Sequence, residues 1–147
     1  MFFKASGQKT GPIKGSTSDK SFVDQIDVVD WSWGMTAPTA VGGQRTGSVA
    51  LEHLKLVKRV DKASPPLMSV MRANELLTLA VLSVRKPGVG GQEPYFTVKL
   101  SKARITAYHV ESDFDPEGVP TLTERLELTF VSAEFEYSPG GFCTTID

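Results

Sequence analysis

The sequence predicts a mainly β protein: a small β-barrel of two curled antiparallel sheets with one short flanking α-helix. Three observations carry this. Apolar and polar residues alternate at period two over most of the chain, the pattern of half-buried strands. In four long segments the apolar set changes parity near the middle. Helical spacing occurs clearly only after Ser64. A strand moves its apolar set to the other face only by inserting a residue or bending. Strands that do so curl a sheet into a barrel or turn a sandwich corner.

The element around which the rest is organised is Ile26-Asp27-Val28-Val29-Asp30-Trp31-Ser32-Trp33-Gly34-Met35. Ile26 and Val28 are even, Trp31, Trp33 and Met35 odd, so a bulge or bend is expected at 28–30. Trp31 and Trp33 then anchor the core from one side of the strand. Residues 2–6 read as an opening strand, followed by a polar connection over 7–20 in which Ser16, Thr17, Ser18 and Asp19 offer cap and turn chemistry. Residues 36–47, with Pro38, Gly42, Gly43 and Gly47, have little to bury and read as a mobile loop or one held by a partner.

Residues 48–60 form a second long strand, with Val49 and Leu51 on one parity and Leu54, Leu56 and Val60 on the other. Ser64 is placed to cap a helix that Pro65 can begin without losing a hydrogen bond. Leu67, Met68, Val70 and Met71 give its apolar stripe, and it ends near 73–75. Residues 77–86 are apolar on both faces, as in a strand covered on both sides. Pro87-Gly88-Val89-Gly90-Gly91 is a hairpin connection. Phe96, Val98 and Leu100 alternate and then yield to Ala103, Ile105 and Ala107. Leu126, Leu128 and Phe130 yield likewise to Ala133, Phe135 and Tyr137. Residues 140–147 carry no strong element signal.

Length and composition narrow the function classes. The 147 residues suit a single domain that buries its own core without staples. Acidic residues number 17 and Lys plus Arg 16, interspersed, and no basic block supports nucleic-acid binding. One cysteine, Cys143, excludes an internal disulfide framework or a cysteine-rich zinc site. No apolar run reaches the roughly 20 residues of a membrane-spanning helix, so membrane insertion is not expected. The start, Met1-Phe2-Phe3-Lys4, turns polar too soon for a cleaved leader, so secretion would need another route.

The chemical candidates are weak. Asp113, Asp115, Glu117, Gly118 and Glu124 approach the spacing of a calcium loop, but the flanks alternate at period two and Pro120 interrupts, which favours an acidic hairpin turn. His53 and His109 lie in strands without a second ligand at metal spacing. As nucleophiles, Ser64 is better explained as a helix cap and Cys143 has no histidine nearby in sequence. Gly88, Gly90 and Gly91 are followed by no Lys-Ser/Thr and no helix, so they form no phosphate loop. No catalytic, cofactor or metal site is assigned.

The order of these motifs resembles a known family. Ile26-Asp27-Val28 followed by Trp31-Ser32-Trp33-Gly34-Met35 is similar to the first core strand of the Hcp family, the tube proteins of bacterial type VI secretion systems. Ile13-Lys14-Gly15-Ser16 resembles its preceding loop, and residues 58–65 its strand-to-helix junction. Leu82-Ser83-Val84-Arg85-Lys86 and Glu134-Phe135-Glu136-Tyr137 fit it too, so the resemblance covers nearly the whole chain. It implies a homo-hexameric ring, rings stacked into a hollow tube, contacts with spike and contractile sheath, and effectors in the pore. It implies a protein that is cytoplasmic before firing and extracellular after it, and kinship with phage tail tubes. The loop differs in ending Gln44-Arg45-Thr46, where many relatives are richer in glycine. The tail after Tyr137 is too short for a fused toxin domain.

From parity and resemblance together, Ser32 and Asp30 are expected to line the pore. Val41, Gly42, Gly43, Gln44, Arg45 and Thr46 are expected to form a ring-stacking loop. The alternatives are a small-ligand-binding barrel of lipocalin type and a phage tail-tube-like protein. The first needs an apolar cavity, which the bulky Trp, Phe and Leu positions should fill.

Overall fold

The structure is a computed structural model and describes residues 1–85 and 94–147. The glycine-rich connection Pro87-Gly88-Val89-Gly90-Gly91 lies outside them. The strands are β1 (Phe2–Gly7), β2 (Gly11–Ile13), β3 (Ile26–Asp27), β4 (Asp30–Ser32), β5 (Met35–Thr36), β6 (Ala50–Leu51) and β7 (Leu54–Arg59). After helix α1 (Ser64–Arg72) come β8 (Leu77–Val84), β9 (Phe96–Ser101), β10 (Arg104–Phe114), β11 (Pro120–Thr129), β12 (Ser132–Tyr137) and β13 (Phe142–Ile146). A seven-stranded sheet runs β13-β12-β9-β8-β1-β2, with β3 also on β1. A four-stranded sheet runs β10-β11-β7-β4, and β5 and β6 form a separate ribbon.

The parity changes are the corners where the chain leaves one sheet for another. β3 pairs with β1, but β4 pairs with β7. The transfer falls between Val28, whose N–H donates to the Met1 carbonyl, and Val29, whose N–H donates to the Val57 carbonyl. β9 passes from the large sheet to β10 in the small one through Lys102, at a φ of 52°. β11 returns to the large sheet as β12 around Phe130 and Val131. When a strand crosses a core to the facing sheet, the side of the chain that meets the core reverses, and the apolar set moves by one residue.

The two sheets enclose one core. The large sheet contributes Phe3, Ile26, Leu82 and Val98, the small one Leu54, Leu56, Leu126 and Leu128, and the helix Leu67 and Val70. Trp31 and Trp33 are half-buried against it, stacked with Phe96 (6.0 Å between ring centroids) and tilted on Phe135 (4.7 Å). Among the described residues the two sheets stay separate ladders with β13, β2, β3, β10 and β4 at their edges. The molecule is therefore two curled sheets face to face rather than a barrel closed by hydrogen bonds.

Several expectations are corrected. The tail forms β13, paired along β12, because its alternation is carried by threonines rather than large apolar residues. The 48–60 strand breaks at Glu52 and His53, and beyond Leu56 the inward position goes to Lys58 (1 % exposed) while Val60 faces outward (41 %). A bulge between Ile105 and Ala107 puts Ala107 opposite Glu127 on the outer face and gives the inward place to Tyr108. The outer face of β8 is covered only in part: Leu79 is exposed and Val81 half-buried. Met68 also faces outward, while Leu67 and Val70 reach the core. Ser64 is no cap. Helix α1 has no side-chain cap bond; Asp61 Oδ1 instead accepts from the Ala63 N–H just ahead of Pro65 and Pro66.

Candidate functional site

Three places stand out: a projecting arm, the outward face of the small sheet, and a buried polar clasp behind that face. The polar segment read as a mobile or partner-held loop is folded on itself as this arm. Met35 and Thr36 pair with Leu51 and Ala50, and Thr39 bridges Arg45. The Thr46 N–H donates to the Pro38 carbonyl at 2.8 Å and the Ala40 N–H to the Gln44 carbonyl at 2.7 Å. Gly42 (φ 97°) and Gly43 (φ 87°) supply the left-handed backbone that closes the tip. Every residue from 38 to 48 is exposed, Val41 wholly so. Part of the arm's backbone is paired within the arm, and the rest is open to solvent.

Asp30 and Ser32 are exposed on β4 and point away from the core. Register places Asp30, Val57, Arg125 and His109 in one cross-strand row and Ser32, Lys55, Glu127 and Ala107 in the next. Arg125 Nε donates to Glu111 Oε1 at 2.7 Å, and Lys55 lies 3.9 Å from Glu127. Such exposed pairs contribute little to stability. Their effect is to compensate charge locally and leave a hydrated, mixed-sign wall.

Behind that wall Lys58 on β7 faces Glu124 on β11, with 2.5 Å between Nζ and Oε1, and neither group reaches solvent. Lys58 Nζ also contacts Asp61 Oδ1 at 3.0 Å, Ser64 Oγ at 3.1 Å and the Arg59 carbonyl at 2.9 Å. Ser64 donates to the same Glu124 oxygen, and Tyr108 donates to the other. Burial, and then the Glu124 carboxylate, push the Tyr108 hydroxyl far above its usual range, so it stays a donor. The Ser64 hydroxyl beside Lys58 has the distance of a nucleophile and base but is buried (1 % exposed), so the cluster is structural.

The remaining candidates resolve individually. The acidic stretch is the β10–β11 hairpin turn, where Asp115 Oδ1 accepts from the Glu117 and Val119 N–H groups at 3.0 and 2.8 Å. Glu124 is engaged by Lys58, Ser64 and Tyr108 rather than by this turn, which overturns the calcium-loop geometry. His53 Nδ1 lies 3.2 Å from Thr106 Oγ1, His109 stands in the outer row, and Cys143 is exposed on β13. Among the described residues no three His, Cys, Asp or Glu side chains converge as a metal site. Among the described residues no helix is long and apolar enough to cross a membrane.

Glu75 was not anticipated. Its carboxylate accepts from the Lys9 and Thr10 N–H groups and the Thr10 hydroxyl, closing the β1–β2 turn. These bonds, chiefly that from the Thr10 N–H, hold its pKa below the ordinary 4.5. A lowered folded-state pKa means the contribution is complete above that ordinary value and lost as pH falls through the lowered one. In an acid titration followed by NMR, the Lys9 and Thr10 amide shifts should move together with a midpoint below 4.5. A midpoint at or above it would contradict the capping role.

The arm, the hydrophilic outer wall and the open sheet edges thus belong to a mainly β protein of two curled antiparallel sheets. The chain belongs to the Hcp family of type VI secretion: the family model described as type VI secretion system effector, Hcp, matches residues 2–137. It is 31% identical over 134 residues to the protein hcp1 of Pseudomonas aeruginosa, covering 89% of this chain and 81% of that one. Among solved structures it resembles Hcp1 of the E. coli EAEC 042 pathovar (TM-score 0.83, 22% identity, 99% of this chain and 95% of that chain). The secreted protein Hcp3 of Pseudomonas aeruginosa is similar as well (TM-score 0.76, 22% identity, 99% and 95%). At those identities the structural likeness speaks for the fold.

Proposed function

We propose that the chain is a non-catalytic structural subunit of a type VI secretion tube. It assembles into a homo-hexameric ring, and rings stack into a hollow tube that meets a spike at its tip and a contractile sheath around it. The pore holds effector proteins, and the protein waits in the cytoplasm before firing and leaves the cell with the tube. The observation that carries this reading is the family match across residues 2–137, on a fold whose exposed parts are sheet edges and an arm. In the ring, the outer wall of the small sheet faces the pore, so Ser32 and Asp30 line it, and compensated charges keep that wall from gripping cargo permanently. Open sheet edges are disposed of by pairing in a closed ring.

Negative-stain microscopy of the purified protein is expected to show six-fold rings. A monomer or dimer at every concentration would overturn the reading and favour a ligand carrier. The packed interior supports the ring instead, because a lipocalin-like carrier needs that space empty. The arm residues Val41, Gly42, Gly43, Gln44, Arg45 and Thr46 bridge to the adjoining ring. Deleting them should abolish stacking while changing the stability of the single chain by no more than about 0.5 kcal/mol, as for other surface changes. Unaltered tubes in the deletion variant would rule the arm out.

A further inference from the structure

The β10–β11 hairpin runs past the core that supports its base. Its inward side beyond the clasp carries Val110, Leu122 and Phe114, exposed by 47, 52 and 69 %, and Val119 in the turn by 54 %. This overhang is held firmly: the ladder continues to Phe114 opposite Pro120, and Glu124 and Tyr108 at its root are tied into the buried clasp. It is also acidic, with Glu111, Asp113, Asp115 and Glu117 and no Lys or Arg from 111 to 122. An apolar, acidic projection of fixed shape has its binding cost lowered in advance. It is unsuited to meeting its own copy, because Asp113, Asp115 and Glu117 would face their own counterparts, Glu111 being already compensated by Arg125.

The same chain carries a surface of opposite character. On the outer face of the large sheet, Lys4, Val81 and Lys99 form one cross-strand row, and Leu79 stands beside Val81 two residues along the same strand. Lys4, Lys99 and Leu79 are exposed and Val81 is half-buried. The two lysines stand about 10 Å apart, two strand spacings, astride the apolar pair. Glu134, opposite Lys99 on β12, turns the face acidic farther on and would repel the hairpin from that side.

We propose that the overhanging β10–β11 hairpin of one copy packs on the Leu79/Val81 patch of the next. The contact buries Phe114 and Leu122 against the two aliphatic side chains and brings the acidic tip to Lys4 and Lys99. It rests on the ring reading and gives that ring its direction, since two different patches of one chain make a heterologous contact that closes by rotation.

The test is cysteine cross-linking in a Cys143→Ser background. Phe114→Cys with Leu79→Cys should give disulfide-linked multimers up to the full ring, and neither substitution alone should. In parallel, Lys4→Glu with Lys99→Glu should weaken assembly about tenfold or more, and adding Asp113→Lys and Glu117→Lys should restore part of it. Thermal melts that match the parent show that each variant folds. Rings by microscopy without the cross-link, or indifferent to the charge changes, would overturn this contact and leave the ring reading standing. A parent protein that never assembles would remove both.

Discussion

Replacing Lys58 with methionine is expected to destabilise the protein by about 3–5 kcal/mol, the usual consequence of leaving one partner of a buried ion pair alone. Glu124 would then keep a charge out of water, with only the Ser64 and Tyr108 hydroxyls to solvate it. The double variant Lys58→Met with Glu124→Leu should recover much of that loss, because apolar replacements of similar volume remove both charges together. Urea unfolding at one fixed protein concentration measures this, since assembly makes apparent stability depend on concentration. A loss below about 1 kcal/mol for the single variant would mean the pair is not buried and charged as described.

The second large effect is expected at Gly15, in the turn that leads towards β3. A Cβ there would lie 2.3 Å from the Gln25 carbonyl oxygen and 2.6 Å from Ile26 Cα, both backbone. No side-chain rotation relieves such a contact. The segment is also pinned: the Gly15 N–H donates to the Asp24 carbonyl at 2.9 Å, and Ile26 is wholly buried. Gly15→Ala should therefore cost about 3 kcal/mol, at the upper end of overpacking changes. Ala at Gly42, where a Cβ meets nothing, should cost only about 1 kcal/mol for its left-handed backbone. Equal melting temperatures for the two variants would refute the backbone contact at Gly15.

Neither site was singled out by residue pattern alone, although signals were present. Lys58 and Glu124 each extend an inward apolar series, Leu54, Leu56, Lys58 and Leu128, Leu126, Glu124. Opposite charges standing where a core residue belongs point to a buried pair. Reading apolar residues only, the alternation passes over Lys58 to Val60 and loses it. The arm was legible as a polar excursion, but its ribbon hydrogen bonds depend on backbone geometry that Gly42 and Gly43 permit and do not announce.

The amino-acid order by itself determined where strands bend, because the pleat alternates faces locally and a change of parity must be visible within a few residues. It likewise determined the helix start at 64–66 and the outward direction of Asp30 and Ser32. Tertiary structure alone decided which sheet each half-strand joins, that the ladders stay open, and that Lys58 meets Glu124 across 66 positions. Those outcomes depend on competing long-range pairings and on desolvation, which acts on a charge only once the whole core has closed around it.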